Sequence, residues 1–180
     1  MKHLLVCATL FACDASAADK VAAPAVLQVG SSDFAAHAEL ARDFTCEGAN
    51  ISPSLWWTGA PPETKSFAII VDDPDSPDPA APRRTWVHWV VTGIPATVTR
   101  LESRADRHLP AGASNGTNDD GDARWDGPCP PIGRHRYVFT VYALDAVVPG
   151  ATKAELLAAM KGHVLAKGEL IGMYQKQGHR

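Results

Sequence analysis

The chain has 180 residues, a formal net charge of −3, 46% hydrophobic and 21% charged side chains. That length suits one domain rather than two, and the slight acidity argues against the basic surface of a nucleic-acid binder. There is no apolar run of about 18 or more residues, so no membrane-spanning helix is expected.

The chain opens on a targeting pattern. Lys2 supplies a positive start, residues 4–12 a short apolar stretch, and Ala15-Ser16-Ala17 an A-x-A cleavage site. Residues 1–17 therefore read as a signal peptide and 18–180 as the mature domain, with a periplasmic or secreted address. The alternative is a lipoprotein anchored at Cys13, ranked second because Phe11 is bulky for the position two before a lipidated cysteine. Cleavage would remove Cys7 and Cys13 and leave Cys46 and Cys129. In an exported protein such a pair favours one disulfide over two buried free thiols. Closing a loop of roughly eighty residues would contribute roughly 4 kcal/mol in the loop-entropy account.

Residues 26–29 form a short β-like run, closed by the turn cluster Gly30-Ser31-Ser32-Asp33. Residues 34–44 are alanine-rich without a clean period and stay ambiguous between a helical turn and coil. After a loop around Cys46-Glu47-Gly48-Ala49-Asn50, Leu55-Trp56-Trp57-Thr58 reads as a strand, since aromatic and β-branched side chains suit a pleated surface. Residues 66–71 and 85–94 are the strongest strands, continuous apolar runs expected to be buried on both faces. Simple alternation along the second puts Trp86, His88 and Val90 on one face and Val87, Trp89 and Val91 on the other. Residues 96–106 read as a polar return.

Residues 111–133 form a long glycine-rich stretch expected to lack regular structure, a length usually associated with function or mobility. Within it, Asn118-Asp119-Asp120-Gly121-Asp122 lacks the spacing and closing glutamate of a calcium loop and reads as turn chemistry. Residues 136–145 are a further strand. Thr152-Lys153-Ala154-Glu155 is a capping box opening a helix to about Met160 or Lys161, with Gly162 past its end. Residues 165–175 supply a last strand. The balance favours an antiparallel sandwich with a helix on its flank.

Asp73 and Asp75 flank Pro74 at a strand end, where turn capping and function are equally well motivated by composition. His88 lies in a core-like strand, where a lone histidine is more often a satisfied core residue than a ligand. His135 sits between Arg134 and Arg136 where a strand begins. Two histidines and two aspartates at strand ends suit phosphate binding, metal binding or acid–base work, because imidazole titrates near neutrality. The close ligand pairs of a structural zinc site are missing. So are a nucleophile elbow and a P-loop or dinucleotide fingerprint. A facial iron triad stays open on spacing alone. On the residues alone, phosphate binding, metal binding and acid–base work all stay open.

Asp73-Pro74-Asp75-Ser76-Pro77, Trp86-Val87-His88-Trp89, Gly127-Pro128-Cys129-Pro130-Pro131 and Gly133-Arg134-His135-Arg136-Tyr137 together resemble the phosphatidylethanolamine-binding proteins, in their bacterial, Raf-kinase-inhibitor-like branch. The resemblance extends over residues 29–174. It implies a mainly β sandwich of antiparallel sheets with one or two peripheral helices. It implies a small pocket for a phosphate or phospho-head-group, with Asp73, Asp75, His88, Pro130, Pro131, His135 and Tyr137 as its ligand-binding residues. In that reading His88 and His135 donate to phosphate-like oxygens, Tyr137 adds a hydroxyl, and Asp73 and Asp75 orient the histidines or accept from a cationic head group. The resemblance also implies a Cys46–Cys129 disulfide. Among partners it names a small anionic ligand, a protein that the chain inhibits or modulates, and a second copy in a homodimer. With the resemblance, the expectation is an exported, non-enzymatic binding protein with no cofactor; the alternative is a hydrolase or metal-dependent enzyme using His88, His135 and Asp73 or Asp75. Three features depart from the branch's pattern: Arg83 and Arg84 in the loop at the pocket mouth, an acid at Asp119-Asp120-Gly121 where an aromatic is usual, and Trp125 where a tyrosine is common.

Overall fold

The computed structural model describes residues 25–177. The signal-peptide and lipoprotein readings concern residues 1–17 and lie outside the described residues. In chain order the elements are β1 (Ala25–Val26), β2 (Gln28–Gly30), β3 (Leu55–Thr58), β4 (Ser66–Asp73), β5 (Trp86–Pro95), β6 (Arg100–Leu101), β7 (Ser114–Gly116), β8 (His135–Leu144), α1 (Lys153–Ala159) and β9 (Val164–Tyr174). They form a six-stranded sheet, β1-β9-β8-β4-β5-β7, and a three-stranded sheet, β2-β3-β6. Neighbours pair antiparallel except β1, which runs parallel to β9. The larger sheet is therefore mixed rather than purely antiparallel.

The apolar strands are buried on both faces, as their continuous hydrophobicity requires. On one face of the six-stranded sheet, Phe67, Ile69, Val71, Trp89, Phe139 and Val141 pack toward the smaller sheet, which contributes Leu55 and Trp57. On the other, Ala68, Ile70, Val87 and Val90 meet Leu156 and Met160 of the helical segment. Strand β3 covers only one side, so it alternates: Leu55 and Trp57 are buried while Trp56 and Thr58 are exposed.

Strand β5 departs from simple alternation at the position that matters most. Val71 of β4 faces Trp89 and Asp72 faces Val87, so His88 is an extra residue in the ladder. Such a β-bulge puts two consecutive side chains on the same side of the sheet. His88 and Trp89 both lie against the Trp125 ring, while Val87 and Val90 both pack toward the helix. The expected grouping of His88 with Val90, and of Trp89 with Val87, is thus corrected. One inserted residue re-aims the histidine without costing the strand its core tryptophan.

Three further expectations change. Residues 96–106 contain β6 and a 3-10 turn at Ala105–Arg107. Residues 111–133 contain β7, paired with β5. Residues 34–44 hold a 3-10 turn at Arg42–Phe44 and otherwise run as irregular chain beside β9. The N-cap half of the capping box forms, Thr152 Oγ1 accepting from the Glu155 amide at 3.3 Å, while the Glu155 carboxylate reaches one residue further back and accepts from the Ala151 amide at 2.9 Å. Asn118 Oδ1 accepts from the amides of Asp120 and Asp122, which is the expected turn chemistry.

Both long edges of the larger sheet are sealed. Along β9, the irregular chain supplies hydrogen bonds from Leu27, His37 and Leu40 to Lys167, Ile171 and Met173. Along β5, β7 covers residues 90–92, and the Asp119 and Asp126 amides donate to the carbonyls of Val87 and His88.

Candidate functional site

The C-terminal end of β4, the start of β5 and the start of β8 converge at one end of the sandwich around a cavity of about 380 Å³. That is large enough for a small ligand or head group. Asp73, Trp86, His88 and Tyr137 come from the strands; Asp120, Asp126 and Pro130 come from the loops over them.

Asp73 is buried and fully committed. Its Oδ1 accepts from the Asp75 amide at 2.8 Å, and its Oδ2 lies 2.7 Å from His135 Nδ1. His135 Nε2 in turn donates to the Ile132 carbonyl at 2.8 Å. The imidazole thus links a cavity wall residue to the proline loop, and one proton lies between its Nδ1 and Asp73. Asp75 accepts from the Arg136 amide at 2.9 Å and from its guanidinium at 2.9 and 2.6 Å. Arg136 holds the Asp75 carboxyl below the usual carboxylate range. This ties the Asp-Pro-Asp turn to the start of β8.

The bulge delivers His88 to the cavity. Its Nδ1 donates to the Asp126 carbonyl at 2.6 Å, which leaves Nε2 as the nitrogen without a protein partner among the described residues. Burial pushes the imidazole below its ordinary value, against the opposing pull of Asp126 and Asp73. His88 is therefore neutral near pH 7, with the proton on Nδ1. The Tyr137 ring stands edge-on to it at 5.1 Å. The Tyr137 hydroxyl is buried and has no hydrogen-bond partner among the described residues, and burial pushes its pKa up. An unpaired buried hydroxyl costs about 1–3 kcal/mol, so its retention needs a reason.

The far wall is docked on residues 44–50. The sulfur atoms of Cys46 and Cys129 are bonded, 83 positions apart in sequence, with Cα atoms 5.4 Å apart. Trp125 Nε1 donates to the Phe44 carbonyl at 3.2 Å, and the Gly127 amide to Asn50 Oδ1 at 2.7 Å. A side chain at Gly127 would collide with the Phe44 carbonyl and Asn50.

At the mouth, the Ser76 carbonyl accepts from the Arg83 and Arg84 amides. The Arg84 guanidinium lies 3.9 Å from the centroid of the Trp86 ring. Opposite, Asp120 is pushed up to about 6, first by its hydrogen-bonding contact with the Asp126 carboxyl, then by burial and the Asp126 charge.

Of the residues expected from sequence, Asp73, His88, Pro130, Pro131 and Tyr137 line the cavity. Asp75 and His135 lie outside this lining, where His135 is bonded to Asp73 and Asp75 to Arg136 at the start of β8. Sequence reasoning passed over Asp126, whose main contact with His88 is made by its backbone and carries no side-chain signal. Among the described residues no group of three or more His, Cys, Asp or Glu could hold a metal ion.

A sequence model of the phosphatidylethanolamine-binding protein family matches residues 30–175. The UPF0098 protein of Methanothermobacter thermautotrophicus is 49% identical over 138 residues, 74% of this chain and 88% of that protein. YbcL of Escherichia coli, also named a UPF0098 protein, is 44% identical over 145 residues, 73% of this chain and 75% of that protein. The crystal structure of the phosphatidylethanolamine-binding protein homologue CT736 from Chlamydia trachomatis superposes with a TM-score of 0.76 at 37% identity, covering 84% of this chain and 99% of that one. The crystal structure of E. coli YbcL gives 0.76 at 38%, covering 85% and 100%. Sequence and architecture agree, and the chain belongs to the phosphatidylethanolamine-binding protein family, in its bacterial branch.

Proposed function

We propose that this is an exported, non-enzymatic binding protein whose cavity takes a small anionic or phosphorylated ligand. The observation that carries the reading is the pair of uncommitted groups inside the cavity: the buried Tyr137 hydroxyl and His88 Nε2. A buried polar group without a partner is costly, and a ligand oxygen relieves the cost. When a ligand enters, Tyr137 donates its hydroxyl to an anionic oxygen, while Nε2 of the neutral His88 accepts from a proton-bearing group of the ligand. Arg84 at the mouth supplies the fixed positive charge. A binding role also fits the commitment of the remaining groups. Both His135 nitrogens and both Asp73 oxygens are already engaged, which leaves His88 Nε2 as the imidazole nitrogen open to a ligand. The disulfide and the N-terminal targeting pattern fit an oxidising compartment.

Calorimetric titration with phosphate and with phosphoethanolamine tests this reading. Saturable binding is expected for at least one of them. His88→Ala is expected to weaken it by about 1.5–3 kcal/mol, the range of a hydrogen bond to a charged group. Equal affinity in wild type and His88→Ala, or no saturable binding of either compound, rejects the reading.

A further inference from the structure

The cavity carries more carboxylate than an anion would tolerate unaided. Asp73, Asp120 and Asp126 all line it, with Arg84 as the cationic lining group. Asp73 is hydrogen-bonded to His135, but Asp120 and Asp126 lie against each other in the cavity lining, on two loops that are separately fixed. Asp119 sets the first: its carboxylate accepts from the Val87 amide at 3.0 Å and its amide donates to the Val87 carbonyl at 3.0 Å. Asn118 holds the Asp120 amide at 3.1 Å. His88 sets the second through both polar groups of the Asp126 backbone, its carbonyl accepting from the Asp126 amide at 3.0 Å. Asn50 donates to Asp126 Oδ1 at 3.3 Å. The groups facing Asp120 are Asp126, His88 and Asp122, with Asp73 and Arg84 across the cavity. The unpartnered Tyr137 hydroxyl lies in the same cavity wall.

We propose that the cavity takes a tetrahedral oxyanion together with one proton, held between Asp120 and Asp126, so that Asp120 selects the ligand's protonation state as well as its shape. This rests on the anion-binding reading above. The physical basis is charge: two ionised carboxylates at the mouth repel an incoming anion, and one proton between them removes a unit of that repulsion and makes one carboxyl a donor. A hydrogen phosphate or phosphomonoester can bring the proton on its own P–OH, pointed at a carboxylate. Sulfate has none to bring, so its binding must draw the proton from solvent. The elevated Asp120 carboxyl puts that uptake near neutral pH.

The test uses sulfate, whose double charge does not change over the range, against wild type and Asp120→Asn. Calorimetry in two buffers of different ionisation enthalpy counts the protons. Wild type is expected to bind sulfate about tenfold more weakly at about pH 7.5 than at about pH 5, with an uptake approaching one proton per sulfate in between. Asp120→Asn is expected to bind with the same affinity at both and to take up none. Uptake retained in Asp120→Asn places the proton on His88 and overturns the proposal. So does phosphate binding at about pH 5 with sulfate rejected, because at that pH the carboxyl pair already holds its proton. Failure of phosphate itself to bind strikes the anion-binding reading first, and the proposal with it.

Discussion

Tyr137 separates a ligand site from a structural remnant. If its hydroxyl serves only the empty protein, removing it should cost stability; in fact it has no partner to lose among the described residues. Tyr137→Phe is therefore expected to leave the melting temperature unchanged or raise it, by the equivalent of up to about 1 kcal/mol, while weakening phosphate binding. A variant that melts lower and binds as wild type would contradict the assignment. The residues legible in sequence were those whose side chains do the work: Asp73, Asp75, His88 and His135 announced themselves as polar groups at strand ends, while Tyr137 was reached only through the family resemblance. What sequence could not separate was wall from support. Asp75 and Asp73 are two residues apart in one motif, yet one faces the cavity and the other binds Arg136. Only the turn between them decides which. Asp126 was illegible for a different reason, since a backbone carbonyl is present at every position of any chain.

At the scale of elements, length governed what could be read. The long strands β4, β5, β8 and β9 and the capped helix were each expected within a residue or two of where they lie. Strands β6 and β7 are two and three residues long. They exist because β3 and β5 offer unpaired backbone groups, and no local pattern of that length encodes them. The bulge at His88 has the same origin, as register is a property of the pair and not of one strand. The disulfide is the element-scale feature most open to trial. Protein recovered from the periplasm and alkylated without reductant should have Ala18 as its first residue and neither Cys46 nor Cys129 modified. The double variant Cys46→Ala, Cys129→Ala should lose roughly 4 kcal/mol of stability. Two labelled thiols would refute the bond, and a variant as stable as wild type would refute its contribution.

For the whole molecule, three of the shifted groups lie at the candidate site and act on the acid side of the stability curve. His88 is held below its ordinary value near 6.5, so the unfolded chain binds more protons there and stability is lost as pH falls below about 6.5. Asp75, held low by Arg136, contributes stability above the ordinary carboxylate value of about 4 and loses it as pH falls through its lower folded value. Asp120 acts in the opposite sense. Its folded value of about 6 means the folded state binds the extra proton between about 4 and 6, and gains stability as pH falls through that window. Asp120→Asn should therefore show a steeper fall in melting temperature from pH 7 to pH 4 than wild type. Parallel curves would show that Asp120 does not hold its proton more tightly in the folded state.

The sealed sheet edges bear on how copies of this chain could associate. An open edge strand recruits another strand by backbone pairing alone, the route taken by strand-adding complexes and by fibrils. Here irregular chain at β9, and β7 with the Asp119 and Asp126 amides at β5, occupy those positions. A homodimer formed along β5 or β9 would accordingly be read by side chains across a surface, with its specificity written in residue identity, and would not continue those strands from one copy into the next.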